Sequence, residues 1–139
     1  MEPKMDIAAL QGFVAREFPQ LGDDFTIEKL TPDGVTMRLN VAKRHLRPGG
    51  TVSGPSMFAL ADVGMYLAIL ARLGPVALAV ATNCSIDFMR KPAADADMLC
   101  QTRLLKLGRV LAVGDAMLFR EGQDAPVAPA SLTYSIPPH

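Results

Sequence analysis

Hydrophobic and polar positions alternate along this chain with two distinct periods, and the order in which those periods appear predicts its architecture. Ile7, Leu10, Val14 and Phe18 recur at helical spacing, which predicts a short amphipathic helix over residues 5–18. Pro19 and the cluster Gly22-Asp23-Asp24 end it. Phe25 to Leu30 alternates weakly and Val35 to Val41 alternates as VTMRLNV, with the turn Pro32-Asp33-Gly34 between them, so a hairpin is expected. Residues 42–52, rich in basic residues and glycine, read as a loop. The segment PSMFALADVGMYLAIL from Pro55 to Leu70 is apolar nearly all round, as in a helix covered on every side. Ser53 suits its N-cap, Pro55 its first turn and Gly74-Pro75 its stop, which predicts a central helix over residues 53–73. Strand patterns follow over Leu78–Met89, Asp97–Leu107, Val110–Arg120 and Pro129–Ile136, with corners at Lys91-Pro92-Ala93, Gly108-Arg109 and Glu121-Gly122-Gln123-Asp124.

One long buried helix between an opening hairpin and a run of strands belongs to the α+β class. A curved antiparallel sheet wrapped around the helix satisfies that order. The chain has 139 residues and shows no repeat, low-complexity tract or linker. A single domain over 1–139 is expected, with residues 1–22 as an N-terminal helical segment.

Composition narrows the function classes. The formal net charge is zero, which gives no reason to expect nucleic acid as the main partner. Cys84 and Cys100 lie in apolar stretches without metal-ligand spacing and read as buried free thiols of a reducing cytosol. The opening MEPKMDIAAL lacks the continuous apolar core of a secretory signal, and His139 reads as a disordered terminal residue. Residues 55–70 approach the roughly 20 apolar residues of a membrane span. An acid at their centre, Gly74-Pro75 after them and strand patterns on both sides favour a covered core helix instead.

That acid, Asp62, is the only charged group between Pro55 and Leu70. A carboxylate among apolar residues needs a partner, a proton or a chemical role. The glycine-rich turn from Arg47 to Pro55 leads into a helix start, which presents unpaired N–H groups and a positive dipole end. An acid two turns inside such a helix points to chemistry on a polarised carbonyl, with a substrate beside the helix meeting both groups.

Several strings, taken in order, resemble the hotdog-fold acyl-CoA thioesterases, specifically the PaaI-like (phenylacetate-pathway) branch. They are Gly50-Thr51-Val52-Ser53-Gly54, Leu60-Ala61-Asp62, Ile86-Asp87-Phe88-Met89-Arg90-Lys91-Pro92, Lys106-Leu107-Gly108-Arg109 and Thr133-Tyr134-Ser135-Ile136. In that family a His-Gly-Gly string begins the central helix and an acid follows nine positions after the histidine. Here Ser53-Gly54-Pro55 holds that place, and Asp62 keeps the register of the acid. The resemblance implies Asp62 as general base or nucleophile and Gly54 as the N–H donor that polarises the thioester carbonyl. The chain departs from the pattern with Ser53 for histidine, Pro55 for the second glycine and Arg47 for a loop asparagine. His45 matches another histidine of that loop. The family's sites lie where two sheets join edge to edge, which implies a homodimer; exposed strand edges and a helix needing two layers of cover point to a dimer as well and leave room for a tetramer. Thr82 or Asn83 would then be the polar group contributed across the interface, on a strand that also carries Ser85. Arg90, Lys91, Lys106 and Arg109 are the basic candidates for the phosphates of coenzyme A. No metal or redox cofactor is implied, and coenzyme A enters as part of an acyl-CoA or acyl-carrier-protein thioester.

Other readings of the same residues stand beside these. Asp62 could be a structural acid, with Tyr66 one turn on as its hydrogen-bond partner. Ser53 could only cap, the basic residues could be solvated strand ends, and Met57 and Met65 could be core filler or pocket lining. At the level of function, a non-catalytic hotdog protein that binds acyl-CoA or a related small ligand is the alternative to hydrolysis. A hotdog dehydratase would need a histidine in or beside the central helix, and none is there.

Overall fold

The computed structural model describes residues 3–138, so His139 lies outside the described residues. Helix α1 spans Ile7–Glu17 and is capped by the Asp6 carboxylate, which accepts the Ala9 N–H at 2.8 Å. Strands β1 (Phe25–Thr31) and β2 (Gly34–Leu39) form the opening hairpin. The expected loop over 42–52 contains a small hairpin of its own, β3 (Leu46–Arg47) with β4 (Thr51–Val52). Gly49 and Gly50, at φ of 99° and 80°, supply the left-handed turn that permits it. Helix α2 spans Gly54–Leu73. Four further strands follow: β5 (Val80–Ile86), β6 (Met98–Leu107), β7 (Leu111–Arg120) and β8 (Pro126–Ser135).

The six long strands form one antiparallel sheet in the order β1-β2-β6-β7-β8-β5. Register shifts at Ile27/Lys29, Ala81/Asn83, Leu104/Lys106 and Leu118/Phe119 add local bend and twist, and the sheet curves around α2. α2 packs chiefly on β6, β2 and β7, and most of its residues from Met57 to Arg72 are buried. Its mean hydropathy of 1.5 meets the length and composition of a membrane span, but two-thirds of that stretch is covered by protein here (67%). The hydropathy belongs to a core helix. At Gly114 a Cβ would meet Met65 Cε at 2.5 Å and the Arg103 carbonyl at 2.6 Å, so helix and sheet approach at a distance that only glycine allows.

The edges matter most for the site. β5, first of the last four strands in sequence, crosses over to pair with β8 and leaves its other side unpaired. Strand order and hairpin connections put β1 at the opposite edge, where α1 and the N-terminal segment pack beside it. A charge cluster ties the end of β2 to its neighbours: Arg38 pairs with Glu28, with Asp97 at 2.9 Å and with Glu121 at 2.5 Å.

Candidate active site

Asp62 sits half-buried on α2, facing the inner side of β8 and β5. Its partner is Tyr134, not Tyr66. The Tyr134 hydroxyl donates to Asp62 Oδ1 and lies 2.9 Å from the Asp62 backbone carbonyl. Burial, and then the negative charge of Asp62, push the Tyr134 phenol far above its ordinary value, so this hydroxyl stays a donor. Tyr66 instead donates to the Ala77 carbonyl at 3.0 Å, and its own phenol is pushed up to about 12, mainly by burial. One helical turn was enough to suggest Tyr66, but its side chain continues away from the carboxylate toward the segment after α2.

Asp62 and Tyr134 border a cavity of about 160 Å³, whose other walls include Val14, Phe18, Val63, Tyr66 and Val80. Asp62 is the sole charged residue in that lining. Cys84, paired with Leu132 on the inner face, lies close enough for the charge of Asp62 to act on it. Burial first and Asp62 second raise its thiol. Cys84 is only half-buried, unlike Cys100, which is fully buried.

The start of α2 has a different pattern of donors. Ser53 Oγ accepts the Ser56 N–H at 3.2 Å and the Ser53 carbonyl accepts the Met57 N–H at 3.1 Å, while Pro55 has no N–H. Gly54 therefore carries the one unengaged N–H among the first four residues of the helix. It lies on a second cavity, of about 250 Å³, shared with Arg47, Met57, Phe88, Arg90 and Lys91. Phe88 packs over the glycine, 3.4 Å from where a Cβ would stand. Met57 lines this cavity and Met65 is core, so the two helix methionines take different parts.

Asp62 and Gly54 thus open into separate cavities of the chain. Eight residues of helix put them about 12 Å apart along the axis. The two cavities lie toward opposite ends of β5. Val80 and Ala81 at its start border the acid's cavity, and Phe88 to Lys91 beyond its end border the glycine's. The basic candidates divide the same way. Arg90 and Lys91 belong to the glycine's end, while Lys106 and Arg109 flank the β6–β7 turn, at the sheet end where Ser135 pairs with Val80 and Leu111. Arg90 also donates to the Pro126 carbonyl.

Three other candidates do not border the acid's cavity. His45 is buried: its Nδ1 accepts the Ala42 N–H at 2.9 Å and its Nε2 stands 3.2 Å from Asp24. Partial burial opposes ionisation of Asp24, yet Arg44 and His45 hold its carboxyl below the ordinary range. His45 is a strut of the loop. Asn83 pairs with Thr133 and shares its outer face, opposite to Tyr134, and Thr82 is the extra residue of the bulge, 3.4 Å from the Thr133 carbonyl. Both are exposed along the free edge of β5.

A curved antiparallel sheet wrapped around one long central helix is the hotdog fold. Residues 49–127 match the sequence model of the thioesterase superfamily. The crystal structure of a candidate thioesterase from Silicibacter sp. TM1040 shares 60% identity with this chain, over 99% of it and 96% of that chain, at a TM-score of 0.92. A mutant of the phenylacetic acid degradation protein PaaI from Thermus thermophilus is 28% identical over 86% of this chain and 99% of that one, at 0.73. A hypothetical thioesterase from Streptococcus pneumoniae, solved with coenzyme A, has the same fold at 21% identity, 94% and 98% coverage and a TM-score of 0.80. No curated protein matches. The chain belongs to the thioesterase superfamily.

Proposed function

We propose that the protein hydrolyses acyl-CoA thioesters to the free acid and coenzyme A at a site shared between two copies. The observation that carries this reading is Asp62: a carboxylate in the core helix, oriented by Tyr134, and the sole charge in an apolar cavity. In the reaction water adds to the thioester carbonyl while Asp62 takes its proton, or Asp62 itself adds and water then releases the acid. The C–S bond breaks, and coenzyme A leaves as the thiol after taking up a proton. The oxygen that gains charge needs a preorganised donor, a part that suits the Gly54 N–H.

Pairing of two β5 edges in antiparallel fashion would bring the acid's end of one copy to the glycine's end of the other. It would also gather the Lys106 and Arg109 end of one chain near the Arg90 and Lys91 end of the second, a basic surface suited to the phosphates of coenzyme A. A free strand edge favours such pairing, and so do the exposed Val80 and Phe88 near its two ends.

The test is free-thiol release from short, medium, long and aryl acyl-CoAs, with Asp62→Asn in parallel. Turnover that the variant loses supports hydrolysis by Asp62. Bound but unhydrolysed acyl-CoA would favour a binding protein instead, the reading to which Ser53, Pro55 and Arg47 lend weight as departures from the family pattern.

A further inference from the structure

The apolar cavity beside Asp62 is built in part by the N-terminal segment, outside the region from the glycine-rich loop to β8 that forms the rest of the site. Val14 lies in α1, Phe18 caps its C-terminus with its N–H bonded to the Val14 carbonyl at 2.8 Å, and Leu21 follows in the next turn. This segment is anchored: Gln11 Oε1 accepts the Ile27 N–H of β1 at 2.9 Å, and the Leu21 N–H bonds the Phe18 carbonyl at 3.0 Å. The Phe18 ring meets Tyr66 edge-on, with centroids 5.5 Å apart and planes at 85°. Tyr66 is itself fixed through Ala77 and packs against Phe13 and Tyr134, each at 6.4 Å. The edge-on Phe18–Tyr66 pair is a preferred aromatic geometry, and a close-packed wall of rings does not yield easily to a longer guest.

We propose that Phe18, with Val14 and Leu21, sets the upper size of the acyl group, restricting the site to compact apolar acyl chains. The proposal rests on hydrolysis at Asp62. A thioester whose carbonyl stands at Asp62 has this cavity for its acyl chain, since apart from Asp62 the lining is almost wholly apolar. Its volume is about 160 Å³. At roughly 30 Å³ for a water-sized group, it holds about five or six heavy atoms. A dry apolar cavity of about 150 Å³ takes up a molecule the size of benzene. Chains of about six carbons or one ring fit, and a decanoyl chain must displace Phe18 or leave methylenes outside.

The experiment measures kcat/KM on butyryl-, hexanoyl- and decanoyl-CoA for the full chain, Phe18→Ala and Val14→Phe, with folding of each variant checked by its melting transition. Misfit methylenes in an apolar pocket are worth about tenfold or more. The wild type is expected to favour hexanoyl over decanoyl by about that factor. Phe18→Ala should raise the decanoyl-to-hexanoyl ratio about tenfold, and Val14→Phe should lower hexanoyl turnover relative to butyryl. A chain-length profile unmoved in whichever variants fold, or a wild-type preference for decanoyl, overturns this assignment and leaves hydrolysis standing. Absence of turnover on all three esters and on an aryl acyl-CoA run beside them overturns hydrolysis at Asp62 and this assignment with it; turnover on the aryl ester alone overturns the straight-chain profile expected here and leaves hydrolysis standing.

Discussion

The Tyr134 hydroxyl reaches from the inner face of β8 to both the carboxylate and the backbone carbonyl of Asp62, tying a core strand to the core helix at the candidate base. Tyr134→Phe keeps the ring and its packing but removes the only donor seen on that carboxylate among the described residues. We expect kcat to fall about 10-fold or more with KM little changed, because orientation of the base is lost while binding is kept. Stability should fall by about 1 kcal/mol. Equal loss in kcat and gain in KM, or no change in either, would reduce Tyr134 to a packing residue.

Gly54→Pro is the sharpest probe of the donor at the helix start. Proline suits the first helical position, and Ser53 already has the extended backbone that must precede it, at φ −75° and ψ 153°. The N–H vanishes while the helix remains. A drop in kcat of about 10²–10³ is expected, the usual cost of losing an oxyanion donor. The melting temperature should move little, and unaltered turnover would remove Gly54 from the chemistry.

Gly114→Ala tests the helix–sheet approach. The new methyl meets the flexible end of Met65, which can move, and the Arg103 carbonyl, which cannot. We expect a loss of about 1–3 kcal/mol in urea unfolding, as for other overpacked cores.

Acid should weaken the charge cluster at the end of β2. Hydrogen bonding to Arg38 holds Glu121 below its ordinary value of 4.5, so the unfolded chain binds that proton first. The contribution is fully present above about pH 4.5 and is lost as pH falls through the lower folded value. Melting temperatures of wild type and Glu121→Gln, measured from about pH 7 down to about pH 3, should converge toward the acid end. Parallel curves would show that the pair adds nothing.

Much of this fold was legible in the sequence because its elements are punctuated by strong local chemistry. Ser53 and Gly74 bound α2 in the structure as helix caps do, and Asp62 stood out against a wholly apolar run. Other features depend on contacts distant in sequence. β8 begins at Pro126, before the point where Pro129 suggested a start, because a proline lacking a donor can still accept: the Pro129 carbonyl takes the Asp87 N–H. Leu78 and Met89 fall outside β5, and Ile7 is exposed although it shares the spacing of Leu10. The link between Asp62 and Tyr134 spans 72 residues and has no local signature. A tyrosine at an inward position of a strand was the available hint, since a buried phenol seeks a partner. The part played by Phe18 was hidden likewise, because helical spacing marks an apolar face without saying what it encloses.

The separation of Asp62 and Gly54 into two cavities has a genetic consequence. When each centre takes its acid from one chain and its donor from the other, lesions in the two residues complement. A mixed dimer of Asp62→Asn and Gly54→Pro chains places both defects in one centre and leaves the other intact. Two dead proteins, co-folded in equal amounts, should recover about a quarter of wild-type activity, because half the dimers that assort at random are mixed and each mixed dimer has one working centre.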